Sequence, residues 1–220
     1  HLSIRRQRQM CIRDRLMNMN AVLLGGGMMS PADPLFGENP AGQRSLIEIH
    51  GKPMAQWVLN ALADSPLIRK TYVVGLEPGC GLQFSKPLIF LPDAGDLFDN
   101  IRAGVLTSAK ADPGQTKVLL ASSDIPSIRP EMIAWLAEQV QRAPQALVYY
   151  NVVTRQTMET RFPNANRSYV QLRDMSVCGG DLNVVDTGLF SVENPIWKKI
   201  TESRKRPLRQ VSFLGLDNLI

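Results

Sequence analysis

Residues 20 to 27 read Asn20-Ala21-Val22-Leu23-Leu24-Gly25-Gly26-Gly27, an apolar strand that runs straight into three glycines. Glycines let backbone N–H groups converge on one concavity, and a phosphate can approach them without meeting a Cβ. The turn therefore reads as a nucleotide cradle. The residues beyond it exclude two familiar phosphate motifs. The dinucleotide fingerprint needs a helix to open at once, whereas Ser30, Pro31 and Pro34 come after Gly27. A P-loop needs Ser or Thr after Gly-Lys, and Gly51-Lys52 is succeeded by Pro53.

Outward from this turn, apolar runs near 71–75, 87–91, 117–121, 145–151 and 168–173 read as further strands. Helical patterns near 53–64, 96–109 and 129–142 lie between them. Alternation of this kind predicts βαβ units and a mostly parallel sheet, an α/β fold. Arg129-Pro130-Glu131 opens a helix with proline in its first turn, which leaves Asp124 in the loop at the carboxyl end of the strand Lys117 to Ala121. In open α/β sheets ligands bind at that edge.

Three ordered motifs carry a specific resemblance. They are Leu24-Gly25-Gly26-Gly27, then Arg44-Ser45-Leu46 with Gly51-Lys52-Pro53 ahead of a helix, then Ser123-Asp124-Ile125-Pro126 after a strand. Across most of residues 20 to 185 the chain resembles the MobA-like NTP transferases, which are nucleotidyltransferases of the glycosyltransferase-A type. The resemblance implies a three-layer α/β/α, nucleotide-diphospho-sugar transferase architecture with a mostly parallel mixed sheet. It also implies an NTP and a phosphorylated small-molecule acceptor as partners, with Mg²⁺ as cofactor. Two departures stand out. Arg44 replaces the usual lysine, and Met28 and Met29 stand where a basic residue often comes after the glycines. Arginine keeps the charge and can grip a phosphate bidentately, but with different geometry.

The formal charge of +5 is concentrated in residues 1 to 16, where five arginines and Asp14 make +4 and leave +1 for the rest. That stretch resembles translated sequencing-adaptor sequence and is expected to be a non-native leader, with the natural start at Met17 or Met19 and one domain over 17–220. It lacks the aromatics or apolar face of a nucleic-acid or membrane arm. No apolar run is long enough for a membrane span, so a cytoplasmic protein is expected. Cys80 and Cys178 have no metal-ligand spacing.

Candidate site residues come in part from the residues themselves and in part from the resemblance. Leu24, Gly25, Gly26 and Gly27 would cradle the nucleotide, and Arg44 would stabilise its phosphates. Asp124, a carboxylate at a strand end, would hold Mg²⁺, or else cap its turn. Asp96 and Asn100, beside a helix start, would read base or ribose edges, while Asp93 and Asp99 read as a cap and a solvated acid. In the second glycine turn, Gly179-Gly180-Asp181-Leu182-Asn183, Asp181 and Asn183 would share one strand face and Asp181 would aid the metal, unless the segment is a plain hairpin or bulge. Tyr149-Tyr150-Asn151 reads as buried strand edge. Lys198, Lys199, Arg204, Lys205, Arg206 and Arg209 read as a solvated helix face. Pro207 to Ile220 reads as an apolar helix whose abrupt end suggests a missing C-terminal tail. The expected activity is Mg²⁺-dependent transfer of NMP to a phosphorylated acceptor with release of pyrophosphate. A non-catalytic nucleotide-binding module and a glycosyltransferase are the alternatives; the latter usually carries an Asp-x-Asp motif, which is absent at Asp124-Ile125-Pro126.

Overall fold

The computed structural model describes residues 18–191 except 40 and 166. The expected leader, the basic tract from Lys198 and the apolar run from Pro207 lie outside the described residues. Strand β1 (Met19–Leu24) is fully buried from Met19 to Leu23. After a long loop and two one-turn 3-10 helices, β2 (Glu48–Ile49) and β3 (Lys52–Pro53) form a tight hairpin. His50 and Gly51, at φ 51° and 72°, give its turn two consecutive left-handed residues, the twist that suits a two-residue hairpin. Then come α1 (Met54–Asp64), β4 (Ile68–Val74), β5 (Leu88–Leu91), α2 (Leu97–Ala111), β6 (Lys117–Ser122) and α3 (Pro130–Arg142). The last part holds β7 (Val148–Tyr149), β8 (Val152–Thr154), α4 (Arg155–Arg161), β9 (Val170–Gln171), β10 (Ser176–Gly179) and β11 (Leu182–Asp186), closed by a 3-10 turn at Thr187–Phe190.

The main sheet runs β5-β4-β1-β6-β11-β7. Strands β5, β4, β1 and β6 pair in parallel and β11 pairs antiparallel with β6, so the sheet is mixed and mostly parallel, as expected. Strict alternation along the strands sends side chains to two cores. Met19, Ala21, Leu23, Leu119 and Ala121 pack with α1 and α3, while Val22, Val118 and Leu120 pack with α2 and the turn at Thr187–Phe190. Both faces are covered, which is why the strands read as continuous apolar runs.

The late strands differ from the sequence reading. The single strand expected at 145–151 is split, because β7 joins the main sheet and β8 joins a second one of order β8-β10-β9. The strand expected at 168–173 shrinks to the two-residue β9 in that second sheet. The glycine turn at 179–180 is the passage from one sheet to the other: Gly180 N–H donates to Asn151 O at 2.8 Å, and beyond it β11 enters the main sheet. The short helix α4, capped by the Thr154 hydroxyl, has no counterpart in the sequence reading.

Two polar devices fix the segment after β4. The Lys86 ammonium donates to Leu62 O at 3.4 Å, Ser65 O at 2.6 Å and Ile68 O at 2.9 Å, which closes the carboxyl end of α1 with a cation. The Gln56 amide pairs with the backbone of Gln83, one bond in each direction at 2.8 Å. On the opposite face, Gly104 lets α2 sit directly on the sheet, since a Cβ there would lie 2.5 Å from Val22 Cγ1 and 2.9 Å from its Cγ2. Alanine normally improves a helix by up to about 1 kcal/mol. Here Val22 is fully buried and cannot yield, and overpacking costs about 1–3 kcal/mol. Gly104→Ala is therefore expected to lower stability by roughly 1–2 kcal/mol in urea titration, and a stabilised variant would show that the contact relaxes.

Candidate functional site

A cavity of about 670 Å³ opens where β1 and β6 end. Leu24 and Leu120 to Ser123 form its floor, and four separate stretches converge on it: the glycine turn, Arg44-Ser45, Ser123-Asp124 and Gly180-Asp181. Ser45 ties three of them together. Its buried hydroxyl donates to Gly25 O at 2.9 Å and shares a hydrogen bond of 2.7 Å with the Ser123 hydroxyl. The backbone completes the seam, as Ser123 N–H donates to Leu24 O and Ser122 N–H to Asp181 O.

The three glycines are needed for different reasons. A Cβ on Gly25 would lie 2.7 Å from Leu76 Cγ, and one on Gly26 would lie 2.8 Å from Asn100 Nδ2. Gly75 presses from behind, since its own Cβ would fall 2.3 Å from Gly26 Cα. The space saved at Gly25 and Gly26 is thus filled by the protein. Only Gly27, at φ 97° with no atom near its absent Cβ, presents open backbone to the cavity, and Gly26 and Gly27 both line it.

Arg44 lines the cavity and is ion-paired through Nη2 to Asp33, a residue of the loop after the glycines. Asp124 and Asp181 line the cavity as well. The Ser122 hydroxyl donates to Asp124 Oδ1 at 2.5 Å. Because β11 is antiparallel to β6, its first residues lie beside the last residues of β6, with Leu182 opposite Ala121. That topology sets Asp181 near Asp124. Burial holds the Asp181 carboxyl above its ordinary range; Arg167 opposes this and the Asp124 charge adds to it. Arg167 donates to Gly179 O at 2.9 Å and to Asp181 Oδ2 at 3.4 Å. Asn183 also lines the cavity, with its Oδ1 accepting from Asn151 N–H at 2.8 Å.

The remaining residues singled out from the sequence stand differently. From α2 the cavity is lined by Leu97, Phe98 and Ile101. Asp96 caps the helix by accepting from Asp99 N–H, and Asn100 is buried, with Oδ1 accepting from Ala94 N–H at 2.7 Å and Nδ2 donating to Asp93 at 3.0 Å. Gly25, Asp96 and Asn100 are thus absent from the lining, whereas Leu24, Gly26, Gly27, Arg44, Asp124 and Asp181 are all in it. Tyr150, expected as buried strand edge, is half exposed and lines the cavity, where its hydroxyl fills the space a Cβ on Gly179 would need. Leu189 and Phe190 complete an apolar wall. Sequence reasoning missed Ser45, Ser123 and Asp33. A serine directly after Arg44, the basic residue expected to meet phosphate, was the available signal for the first; nothing in the sequence pairs Asp33 with Arg44.

A family model described as MobA-like NTP transferase domain matches residues 21–174. The chain belongs to this family. A hypothetical transferase from Thermus thermophilus superimposes with a TM-score of 0.69 at 32% identity, covering 89% of this chain and 77% of that one. The fold is also that of CMP:2-keto-3-deoxy-manno-octonic acid synthetase complexed with CTP, with a TM-score of 0.62 at 13% identity over 90% of this chain and 86% of that one. The 2-C-methyl-D-erythritol 4-phosphate cytidylyltransferase of Francisella tularensis aligns with a TM-score of 0.59 at 10% identity, over 92% and 87%. No curated protein matches the sequence. Among the described residues no helix is long and apolar enough to cross a membrane. As an NTP transferase domain, the chain is of the nucleotidyl-transferring class.

Asp93 locks this glycine turn from behind. Its carboxyl is held below the ordinary range, first by the Gly95 N–H, then by the Asn100 amide, with the Gly27 N–H adding to them. A folded value below the unfolded one means that the ionised carboxylate stabilises the fold above about pH 4, the unfolded aspartate value, and that this contribution drains as pH falls below it. Asp93→Asn should therefore be less stable than wild type at neutral pH and flatter in its acid dependence. Urea midpoints measured down the acid limb check this, and parallel curves for the two proteins would exclude it.

Proposed function

We propose that the chain is a Mg²⁺-dependent nucleotidyltransferase that joins the NMP part of an NTP to a phosphorylated acceptor and releases pyrophosphate. One observation carries this reading: Gly27, Arg44, Asp124 and Asp181, drawn from four stretches of chain, line one cavity at the carboxyl edge of the sheet. Among the described residues of its lining Arg44 is the single cation, against the carboxylates Asp33, Asp124 and Asp181. A triphosphate entering alone would meet net negative charge, so it is expected to enter with a divalent cation.

Asp124 and Asp181 fit a hard cation. Each offers carboxylate oxygens to the cavity, and their charges lie close enough for one to disfavour ionisation of the other. Mg²⁺ typically takes only one or two protein carboxylates along with substrate phosphates and water, so a larger cluster is not required. The ion would supply neutralisation of the triphosphate and of the departing pyrophosphate. The chain's own residues do the rest. Arg44 donates to phosphate oxygens, the Gly27 backbone approaches them without a side chain, and the Ser122 hydroxyl fixes the rotamer of Asp124. An acceptor phosphate oxygen attacks the α-phosphorus in line, the bond to the bridging α,β-oxygen breaks, and its electron pair leaves with pyrophosphate. Positioning and charge neutralisation account for the catalysis.

A non-catalytic nucleotide-binding module on the same scaffold is separated from this reading by Asp124→Asn. Pyrophosphate release, assayed with each NTP and a panel of phosphorylated acceptors, should fall by about two orders of magnitude or more while the urea midpoint barely moves. Normal turnover by the folded variant would make Asp124 a structural cap.

The raised Asp181 carboxyl sets a second expectation. Its folded value lies above its unfolded one, so ionising it costs stability as pH rises through the folded value, and a bound cation relieves that cost. Stabilisation by Mg²⁺ and NTP in thermal scans should therefore fade on acidification before ordinary carboxylates near about pH 4 titrate. In Asp181→Asn the stabilisation should be weaker and lose that pH dependence; an unchanged profile would remove Asp181 from the site.

A further inference from the structure

Asp33 sits in the cavity beside Arg44 and occupies one of its guanidinium nitrogens. Its setting is built. Asp33 N–H donates to Ser30 O at 2.9 Å, Phe36 N–H donates to Asp33 O at 2.9 Å, and Oδ1 accepts from Leu35 N–H at 2.9 Å, which leaves Oδ2 for Arg44. The Asp33 side chain is 19% exposed and that of Arg44 44%, so the carboxylate is the more enclosed partner. A residue that merely supported Arg44 would stand behind it. Asp33 instead lines the same cavity, where a phosphate oxygen would approach the only cation among the described lining residues.

Resting on the reading of this cavity as a triphosphate site, we infer that Asp33 is a built-in competitor for the phosphate position on Arg44 and thereby a specificity-determining residue. With Asp33 in place the charge of Arg44 is cancelled, and an incoming anion must displace the carboxylate. A nucleoside monophosphate or inorganic phosphate has only one anionic group with which to do so. A triphosphate or pyrophosphate carrying a divalent cation has further anchoring groups at Gly27, Asp124 and Asp181, and it exchanges onto Arg44 while those contacts hold it. Asp33 thus selects polyphosphate over monophosphate.

The test is Asp33→Asn, which keeps the Oδ1 acceptor of the turn and removes the competing charge, measured by calorimetry with pyrophosphate plus Mg²⁺, each NTP plus Mg²⁺, and the matching NMPs. Removing a half-exposed ion pair should tighten anion binding by about two- to fivefold, with the larger gain for the monophosphates, so that discrimination narrows. In an Arg44→Met background the same change should bring no gain, because the competition is for Arg44. Weaker or unchanged binding in Asp33→Asn, or a gain that persists without Arg44, overturns the inference. Pyrophosphate separates the two readings. If Asp33→Asn tightens pyrophosphate but neither protein binds any NTP, the competitor role stands and the nucleotide reading falls. If NTPs bind both proteins equally, the nucleotide reading stands and Asp33 is only a turn residue; if no anion binds either protein, both fail.

Discussion

The Ser45 hydroxyl is the point at which the site is assembled. By donating to Gly25 O and accepting from the Ser123 hydroxyl it joins the turn after β1 to the turn after β6, and it holds Arg44 next door. It is buried and shielded from competing water, where a hydrogen bond lost on one side would leave a buried carbonyl unpartnered. The glycine turn, the basic residue and the acidic loop are spread along the sequence from Gly25 to Asp124, yet these bonds and the parallel pairing of β1 with β6 bring them to one rim.

The first half of this architecture was legible because its signals are local. Continuous apolar runs are the mark of sheets covered on both faces, and proline at the start of α3 marked the boundary behind Asp124. The later strands were not legible. Whether Tyr149 and Val152 belong to one strand depends on which partner each side of Tyr150 finds, and that is settled by pairings with Val184 and Gly179 far along the chain. The proximity of Asp181 to Asp124 has the same origin, since it needs β11 to run antiparallel. Asn100 shows a different limit. A polar residue beside a helix start looks the same in sequence whether it faces a ligand or braces Gly26, and only the packing of Gly26 decides between them.

The cavity is chemically divided. One side presents Arg44 and three carboxylates; the other presents Leu97, Phe98, Leu189 and Phe190. Apolar walls lower the local dielectric, so the few charges opposite them act more strongly than they would in open water. Two of the three carboxylates are ion-paired, Asp33 with Arg44 and Asp181 with Arg167.

Full enclosure of β1 has an evolutionary reading. No side chain from Met19 to Leu23 reaches water, and each is gripped by two neighbouring strands and a core, so almost any change there is a volume error. The rim is under no such restriction. The exposed positions between Ser30 and Glu38 lie outside the main sheet's ladder of pairings and can be rewritten without disturbing the floor. A lineage built on this frame can exchange one small-molecule partner for another by editing the rim alone, while the platform beneath descends nearly unaltered.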